Sequence, residues 1–192
     1  LQSVVNGFGF LFIAGYTATN KLYGILEVVA ISFGYAITTF VSQNYGAKKY
    51  QRMKSGVFQA NILSVFISIV IMIVILFFGK KALLLFISTT PKQTQIVLKY
   101  AYDYLFTIAV CLPVLYILYS YRSALQGMEN TIIPMVSGIV ELITRVSAAL
   151  ILPHYMGVYG IYLAEVLAWT AAAIMLYIFY HKDLHQLDKG VM

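Results

Sequence analysis

The sequence is poor in charged residues. Only 10% of its 192 residues are Asp, Glu, Lys or Arg, whereas 61% are hydrophobic. Soluble domains carry roughly 25% charged residues, because a water-facing surface needs them. With a mean hydropathy of +0.83, the composition excludes a soluble enzyme and a disordered tail.

Cysteine, histidine and enzyme motifs are also scarce. The one cysteine, Cys111, lies in an apolar run, so we expect neither a disulfide framework nor a thiolate metal site. The chain has 3 histidines and contains no Gly-x-Ser-x-Gly, His-Glu-x-x-His or phosphate-binding glycine loop. We therefore expect no enzyme, no metal and no cofactor.

Acidic residues are outnumbered by basic ones. Asp and Glu total 7 against 13 Lys and Arg, for a net charge of +6. The basic residues form no long stripe, so no nucleic-acid partner is expected, and in a membrane protein this balance is typical of cytoplasmic loops. Leu1 already lies in an apolar stretch with no charged region before it, so we expect not a signal peptide but a chain that begins inside a membrane span.

Long apolar runs dominate the chain. A bilayer core of ~30 Å takes about 20 residues of helix, and runs without alternation favour helices over barrel strands. The predicted fold class is therefore an all-α membrane protein, a polytopic helical bundle. The predicted spans are about 1–16, which is short and truncated, then 22–42, 57–78, 100–121, 131–152 and 158–180.

The basic residues predict an orientation. Alternating spans place loop 44–54, loop 122–130 and the C-terminus on one side, with seven Lys and Arg against five on the other. Positive charge concentrates on the cytoplasmic side. We therefore predict a multi-pass protein of the cell membrane with loop 44–54 and the C-terminus in the cytoplasm.

Ionisable residues inside the spans are the first candidates for function, since each costs roughly 2.5–3.5 kcal/mol near the bilayer centre. Glu141 and Arg145 share one helix face at i,i+4 spacing, either as a pair that locks packing or as the lining of a polar cavity. Glu165 has no cation on its own helix, so it is either a proton or cation site or is captured by Arg145 or by the backbone of another helix. Glu27 lies one turn inside its span, so its side chain either takes part in the functional site or reaches the membrane interface.

Uncharged residues complete the set of cavity candidates. Pro113 should kink the middle of its span, as a cavity-lining bend or a tolerated one. Tyr35 and Tyr116 lie deeper than the other tyrosines and are candidates for a cavity wall. Gln2 and Asn6, four residues apart, place two amides on one face of the first span.

Several segments resemble the multidrug and toxic compound extrusion (MATE) transporters. The stretch 40–48, FVSQNYGAK, is similar to the family's glutamine-asparagine-x-glycine-alanine signature, which marks the cytoplasmic loop after the second helix of a lobe. The other resembling segments follow in family order over about 180 residues: 1–9 (seventh helix), 124–134 (turn between the tenth and eleventh), 137–145 (eleventh), and 157–161 with 168–169 (twelfth).

The resemblance implies a twelve-helix carrier, of which this chain is the C-terminal six-helix lobe with its first helix truncated and its N-terminal lobe absent. It also implies a secondary active transporter, an antiporter that exports organic cations or amphipathic compounds by alternating access as H+ or Na+ enters. Two acidic positions of some members are not carried over, since Leu115 and Lys21 occupy them. The expected partners are an organic cation or amphipathic substrate, the bilayer and the N-terminal lobe.

Two alternatives stay open. A flippase of the related lipid-linked oligosaccharide exporters has a similar helix count but needs a more cationic cavity to hold pyrophosphate, and Arg145 is the only deep cation that the sequence indicates. A membrane scaffold subunit without transport of its own is the other.

Overall fold

Five long α-helices make up the described part of the chain. The computed structural model describes residues 4–5 and 7–189, and no strand occurs in that part of the chain. All five helices are long and apolar enough to cross a membrane, so the predicted polytopic helical bundle is confirmed. The helices are α1 (Phe10–Gly46), α2 (Tyr50–Leu84), α3 (Pro91–Gly127), α4 (Ile132–Met156) and α5 (Val158–Asp188).

The described residues form five long helices, whereas six spans were predicted. The predicted spans 1–16 and 22–42 are not separate, because α1 runs without interruption through residues 17–21. That stretch contains neither glycine nor proline, so nothing in it breaks a helix. Within the described residues the predicted boundary was therefore wrong, and α1 instead begins after Gly9, whose φ of 89° is available to glycine.

The helices are also longer than the predicted spans. At 1.5 Å per residue, the 35 residues of α2 and the 37 of α3 extend roughly 50 Å, well beyond a bilayer core of ~30 Å. Residues 50–54 and 122–127, which were predicted to lie in loops, are therefore helical. The length of an apolar run corresponds to the thickness of the lipid core, whereas the helix that contains the run continues into the headgroup region.

The helix α3 lies at the centre of the bundle. It packs against α1, α2 and α5, while α4 packs chiefly against α5. The helices α2 and α4 expose many large apolar side chains, such as Phe66 and Leu142, which is the kind of surface that lipid or another apolar protein face covers.

Small residues bring α1 close to α3 along its whole length. A Cβ atom would clash at three glycines in this contact: Gly15 against Val97, Gly34 against Ser123, and Gly127 against Val41. The Thr19 hydroxyl adds a 2.8 Å hydrogen bond to the Ala101 carbonyl. Close backbone approach of this kind is how helices associate in lipid, where the hydrophobic effect gives no driving force.

A stack of tyrosines joins α1, α3 and α5. The Tyr104 ring is buried between Tyr16, at 5.0 Å between ring centroids, and Tyr162, at 4.9 Å. Its hydroxyl donates to Asn20 Oδ1 at 3.3 Å, so the polar tip of the ring is satisfied inside the bundle. This stack fixes α1, α3 and α5 relative to one another, and these helices carry Glu27, Arg122 and Glu165 of the site described below.

Candidate functional site

Two arginines and two glutamates form one ion-pair network across α3, α4 and α5. Arg122 Nη2 on α3 lies 2.6 Å from Glu141 Oε1 on α4, and Arg145 Nη2 on α4 lies 3.0 Å from Glu165 Oε1 on α5. A longer contact of 3.9 Å between Arg145 Nη2 and Glu141 Oε2 joins the two pairs. Three helices are thereby held together by alternating charges.

Ser137 positions the Arg122 side chain. Arg122 Nε and Nη2 donate to the Ser137 hydroxyl oxygen at 3.2 and 3.0 Å, and that hydroxyl donates to the Pro134 carbonyl at 2.7 Å. Ser137 lies one turn before Glu141 on α4. The same guanidinium therefore contacts two successive turns of one helix, which fixes its orientation toward Glu141.

Glu27 on α1 joins the network through Tyr119. The Tyr119 hydroxyl donates to Glu27 Oε1 at 2.8 Å, and the Arg122 guanidinium lies 5.7 Å from the centre of the Tyr119 ring. A cation at that distance from an aromatic face is attracted to it. The tyrosine thus lies between a carboxylate of α1 and a guanidinium of α3.

An aromatic pair lies between Glu27 and Glu165. Tyr23 of α1 stacks on Trp169 of α5 with ring centroids 5.7 Å apart. Tyr23 is four residues before Glu27, Trp169 is four residues after Glu165, and residues at that spacing are neighbours on a helix surface. The Trp169 ring is buried and the Glu165 side chain is 12% exposed, so this carboxylate has an apolar neighbour and little water.

The network carries an excess of negative charge. Three carboxylates, of Glu27, Glu141 and Glu165, face two guanidiniums, which leaves one net negative charge if all are ionised. Arg145 Nε is a buried donor with no hydrogen-bond acceptor among the described residues. A further cation near these carboxylates would compensate the remaining negative charge.

Four of the sequence-predicted site residues meet in this network: Glu27, Glu141, Arg145 and Glu165. Tyr116 is buried nearby, where its hydroxyl donates to the Leu26 carbonyl at 3.4 Å, next to Glu27 in the chain. Pro113 lies one turn before Tyr116, and α3 stays helical through it, although the ring removes the N–H that would bond the Ala109 carbonyl.

Of the remaining predicted residues, the structure describes Tyr35. Tyr35 is 70% exposed on α1 and contributes nothing to the network. Hydropathy places a residue at a depth but does not say which way its helix is rotated, so the role of Tyr35 in a cavity wall stays a prediction. Gln2 and Asn6 lie outside the described residues.

Arg122 is the functional candidate that sequence reasoning missed. Its segment was predicted to be a loop, but α3 continues to Gly127 and brings Arg122 into the bundle. The available signal was the absence of glycine and proline between Val114 and Gln126, which allows the helix to continue past the last apolar residue.

Sequence comparison places the chain among transporter sequences. The family model described as MatE matches residues 1–151. The "Probable multidrug resistance protein YoeA" of Bacillus subtilis (strain 168) is 26% identical over 182 residues, which is 93% of this chain and 38% of that protein.

Structure comparison finds the same fold in solved transporters. A MOP superfamily transporter from Pyrococcus furiosus Vc1 matches with a TM-score of 0.83 at 18% identity, over 92% of this chain and 39% of that one. A multidrug resistance MATE family transporter of the MOP superfamily matches in its inward-facing conformation with a TM-score of 0.80 at 21% identity, over 93% and 40%. A multidrug resistance MATE family transporter of the MOP superfamily in an outward-facing conformation gives a TM-score of 0.82 at 19% identity, over 92% and 39%. The chain thus spans about two fifths of the length of these relatives.

Proposed function

Since this chain belongs to the MatE family, we propose that it forms one lobe of a cation-coupled antiporter that exports organic cations or related amphipathic compounds by alternating access. The coupling ion in this proposal is H+ or Na+. The second lobe would come from the part of the relatives' length that this chain does not span. The protein acts in this proposal as a transporter and not as an enzyme.

The excess carboxylate of the ion-pair network is the observation that carries the proposal. A substrate cation and a coupling ion would compete for the net negative charge of Glu27, Glu141 and Glu165, so that the binding of one weakens the binding of the other. Such exclusive occupancy is what an exchange of one cation for another needs. The flanking aromatic rings of Tyr23 and Trp169 suit the apolar body and the charge of an organic cation.

The helix packing supports movement of the lobe as a unit. The lobe is about equally similar to a MATE family transporter in an inward-facing conformation and to one in an outward-facing conformation, with TM-scores of 0.80 and 0.82. A lobe with one internal arrangement in both conformations changes access by rotating against its partner. We extend the proposal to the cell membrane, with residues 44–54 and the C-terminus on the cytoplasmic side, in agreement with the basic residues of that end.

Transport in vesicles tests the function. The full-length protein is reconstituted into liposomes, and uptake of a lipophilic cationic dye is followed under an imposed pH gradient or Na+ gradient. We expect one of the two gradients to drive accumulation of the dye and thereby to identify the coupling ion. Uptake that does not depend on either gradient would contradict cation coupling.

Glu165 is tested in the same vesicles. Glu165→Gln keeps the shape of the side chain but removes its charge, and we expect gradient-driven uptake to fall at least about tenfold, equivalent to ~1.4 kcal/mol. Glu129→Gln is the matched control, since Glu129 is exposed in the turn between α3 and α4. Equal activity of the two variants would reduce Glu165 to a packing role.

A second candidate is favoured by the position of Arg122. The network contains two guanidiniums, whereas the sequence indicated only that of Arg145. An exporter of lipid-linked oligosaccharide pyrophosphates would use such cations. The structure of the Pyrococcus furiosus relative is described as having a binding pocket of reverse polarity. That description suggests a different function for that transporter. Uptake of an anionic instead of a cationic amphiphile in the vesicles would support this alternative, whereas the three carboxylates favour the cation.

A further inference from the structure

Three uncharged polar atoms are buried in the bundle without a hydrogen-bond partner among the described residues. They are Asn61 Oδ1 and Ser64 Oγ on α2, and Ser120 Oγ on α3. The two serines are 0% and 1% exposed, so neither hydroxyl reaches the surface of the bundle. A buried polar group without a partner loses the hydrogen bonds that water gave it, and native structures rarely keep several of them together.

The packing of α2 against α3 brings Asn61 and Ser120 to the same place. Tyr102 of α3 donates a 3.2 Å hydrogen bond to the Leu76 carbonyl of α2, and a Cβ atom on Gly79 would lie 3.6 Å from the Tyr102 ring. Asn61 precedes Gly79 by 18 residues, about five whole helical turns, and so lies on the same face of α2. By the same count Ser120 lies on the face of α3 that carries Tyr102. Because the two helices are antiparallel, Asn61 and Ser120 face each other.

A crevice between α2, α3 and α5 supports this register independently. Asn61 of α2 and Tyr121 of α3 both line it, so Asn61 lies at the level of the residue next to Ser120. Ser64 follows Asn61 by three residues, which makes the two side chains neighbours on one face of α2. Asn61, Ser64 and Ser120 therefore form one polar cluster in the α2–α3 contact, beside the crevice.

The polar cluster offers both donors and acceptors to a ligand. The Asn61 amide nitrogen already donates to the Val57 carbonyl at 3.0 Å, and Asn61 Oδ1 is left as an acceptor. Each serine hydroxyl can donate one hydrogen bond and also accept. A ligand that donates to Asn61 and exchanges hydrogen bonds with the two hydroxyls would satisfy all three groups. A buried water typically has two to four such partners.

The lack of charge in the polar cluster distinguishes water from a cation as its ligand. None of the three side chains is ionisable, and none of the described residues that line the adjoining crevice carries a carboxylate. A sodium ion would exchange its hydration shell for three neutral oxygens. Burial of a charge without a counter-charge is far more costly than burial of a neutral, hydrogen-bonded molecule.

We propose that the α2–α3 contact binds an ordered water molecule through Asn61 Oδ1, Ser64 Oγ and Ser120 Oγ. The water enters from the crevice, whose volume of about 320 Å³ is many times the ~30 Å³ that one water occupies in the liquid. It joins α2 to α3 by polar contacts, which matter in lipid because the hydrophobic effect does not drive helices together there. None of the three residues belongs to the ion-pair network, so the test does not depend on the proposed transport function.

The sign of a stability change tests the water site in the full-length protein in detergent. Ser64→Ala and Ser120→Ala should each lower the unfolding midpoint by roughly 2 °C or more, because each removes a hydrogen bond to the water. If the hydroxyls had no partner, alanine would remove a buried unsatisfied group and raise the midpoint. Ser68→Ala is the matched control, since this equally buried hydroxyl donates to the Val65 carbonyl of its own helix, and its change should be smaller.

Further measurements identify the ligand. The double variant Ser64→Ala/Ser120→Ala should lose less than the sum of the single changes, since both hydroxyls bind the same water. Replacing choline with Na+ at equal ionic strength should shift the wild type and Ser64→Ala alike. A density map that resolves ordered waters should show one within hydrogen-bond distance of all three oxygens. A raised midpoint in Ser64→Ala, additive changes, a stabilisation by Na+ that Ser64→Ala loses but Ser68→Ala keeps, or a map without this water would each overturn the proposal.

Discussion

Replacing Arg145 with methionine is expected to reduce transport to background and to lower the thermal stability of the protein. The change leaves Glu165 and one oxygen of Glu141 without the guanidinium that contacts them at 3.0 and 3.9 Å. Removing one partner of a fully buried pair costs about 3–5 kcal/mol, and because the Arg145 side chain is 29% exposed we expect about 2 kcal/mol. The loss is measured as a shift of the unfolding midpoint in detergent.

Arg52→Met is the matched control for this prediction. It makes the same change of side chain on α2, where Arg52 is exposed and forms no ion pair with any of the described residues. Exposed pairs and charges contribute about 0–1 kcal/mol, so this variant should unfold close to the wild-type midpoint. If both variants unfolded alike, the network would not hold α4 to α5.

A swap of the pair separates electrostatics from shape. Arg145→Glu alone places two carboxylates together, whereas Arg145→Glu combined with Glu165→Arg restores an attractive pair in reverse order. We expect the double variant to recover part of the stability that the single variant loses, because contacting charges are coupled. Recovery of stability without recovery of transport would show that the order of the charges matters for function.

Gly160→Ala is expected to have the second large effect, on folding. A Cβ atom on Gly160 would lie against the Pro153 nitrogen and 2.5 Å from the Leu152 carbonyl carbon. These are backbone atoms of the preceding helix, which cannot move aside as a side chain can. Overpacking of this kind costs about 1–3 kcal/mol or more, and we expect little monodisperse protein after purification.

Two other glycines serve as controls for Gly160. Nothing lies within 4 Å of a Cβ atom built on Gly24 of α1 or on Gly138 of α4. Alanine at either position should be tolerated or should stabilise its helix by about 0.5–1 kcal/mol. A normal yield of Gly160→Ala, or an equal loss in all three variants, would contradict the tight α4–α5 turn.

The helical fold was predictable because lipid leaves few alternatives. Apolar runs of about 20 residues, broken by basic or glycine-containing turns, indicated each span after residue 22. The continuity of α1 between residues 16 and 22 was not predictable in this way. That stretch is polar, but it contains no helix-breaking residue and therefore stays helical. Helix length beyond the apolar run was missed for the same reason.

The ion-pair network was predictable only in part. Spacing along one helix indicated Glu141 with Arg145, and the lack of a cation beside Glu165 indicated a partner on another helix. The shortest pair, Arg122 with Glu141, joins two helices whose rotation and offset are set by packing, for example by Ser137 against α3. Spacing within one helix contains no information about that arrangement.

Competition between cations at Glu165 is the most direct test of the central claim. Tetraphenylphosphonium, a permanent lipophilic cation, is titrated into the full-length protein by calorimetry, in buffers of different ionisation enthalpy and with or without Na+. We predict that its binding releases a proton or is weakened by Na+, and that this linkage disappears in Glu165→Gln but persists in Glu129→Gln. Binding that neither releases protons nor responds to Na+, or a linkage unchanged in Glu165→Gln, would contradict the claim that this carboxylate is shared by substrate and coupling ion.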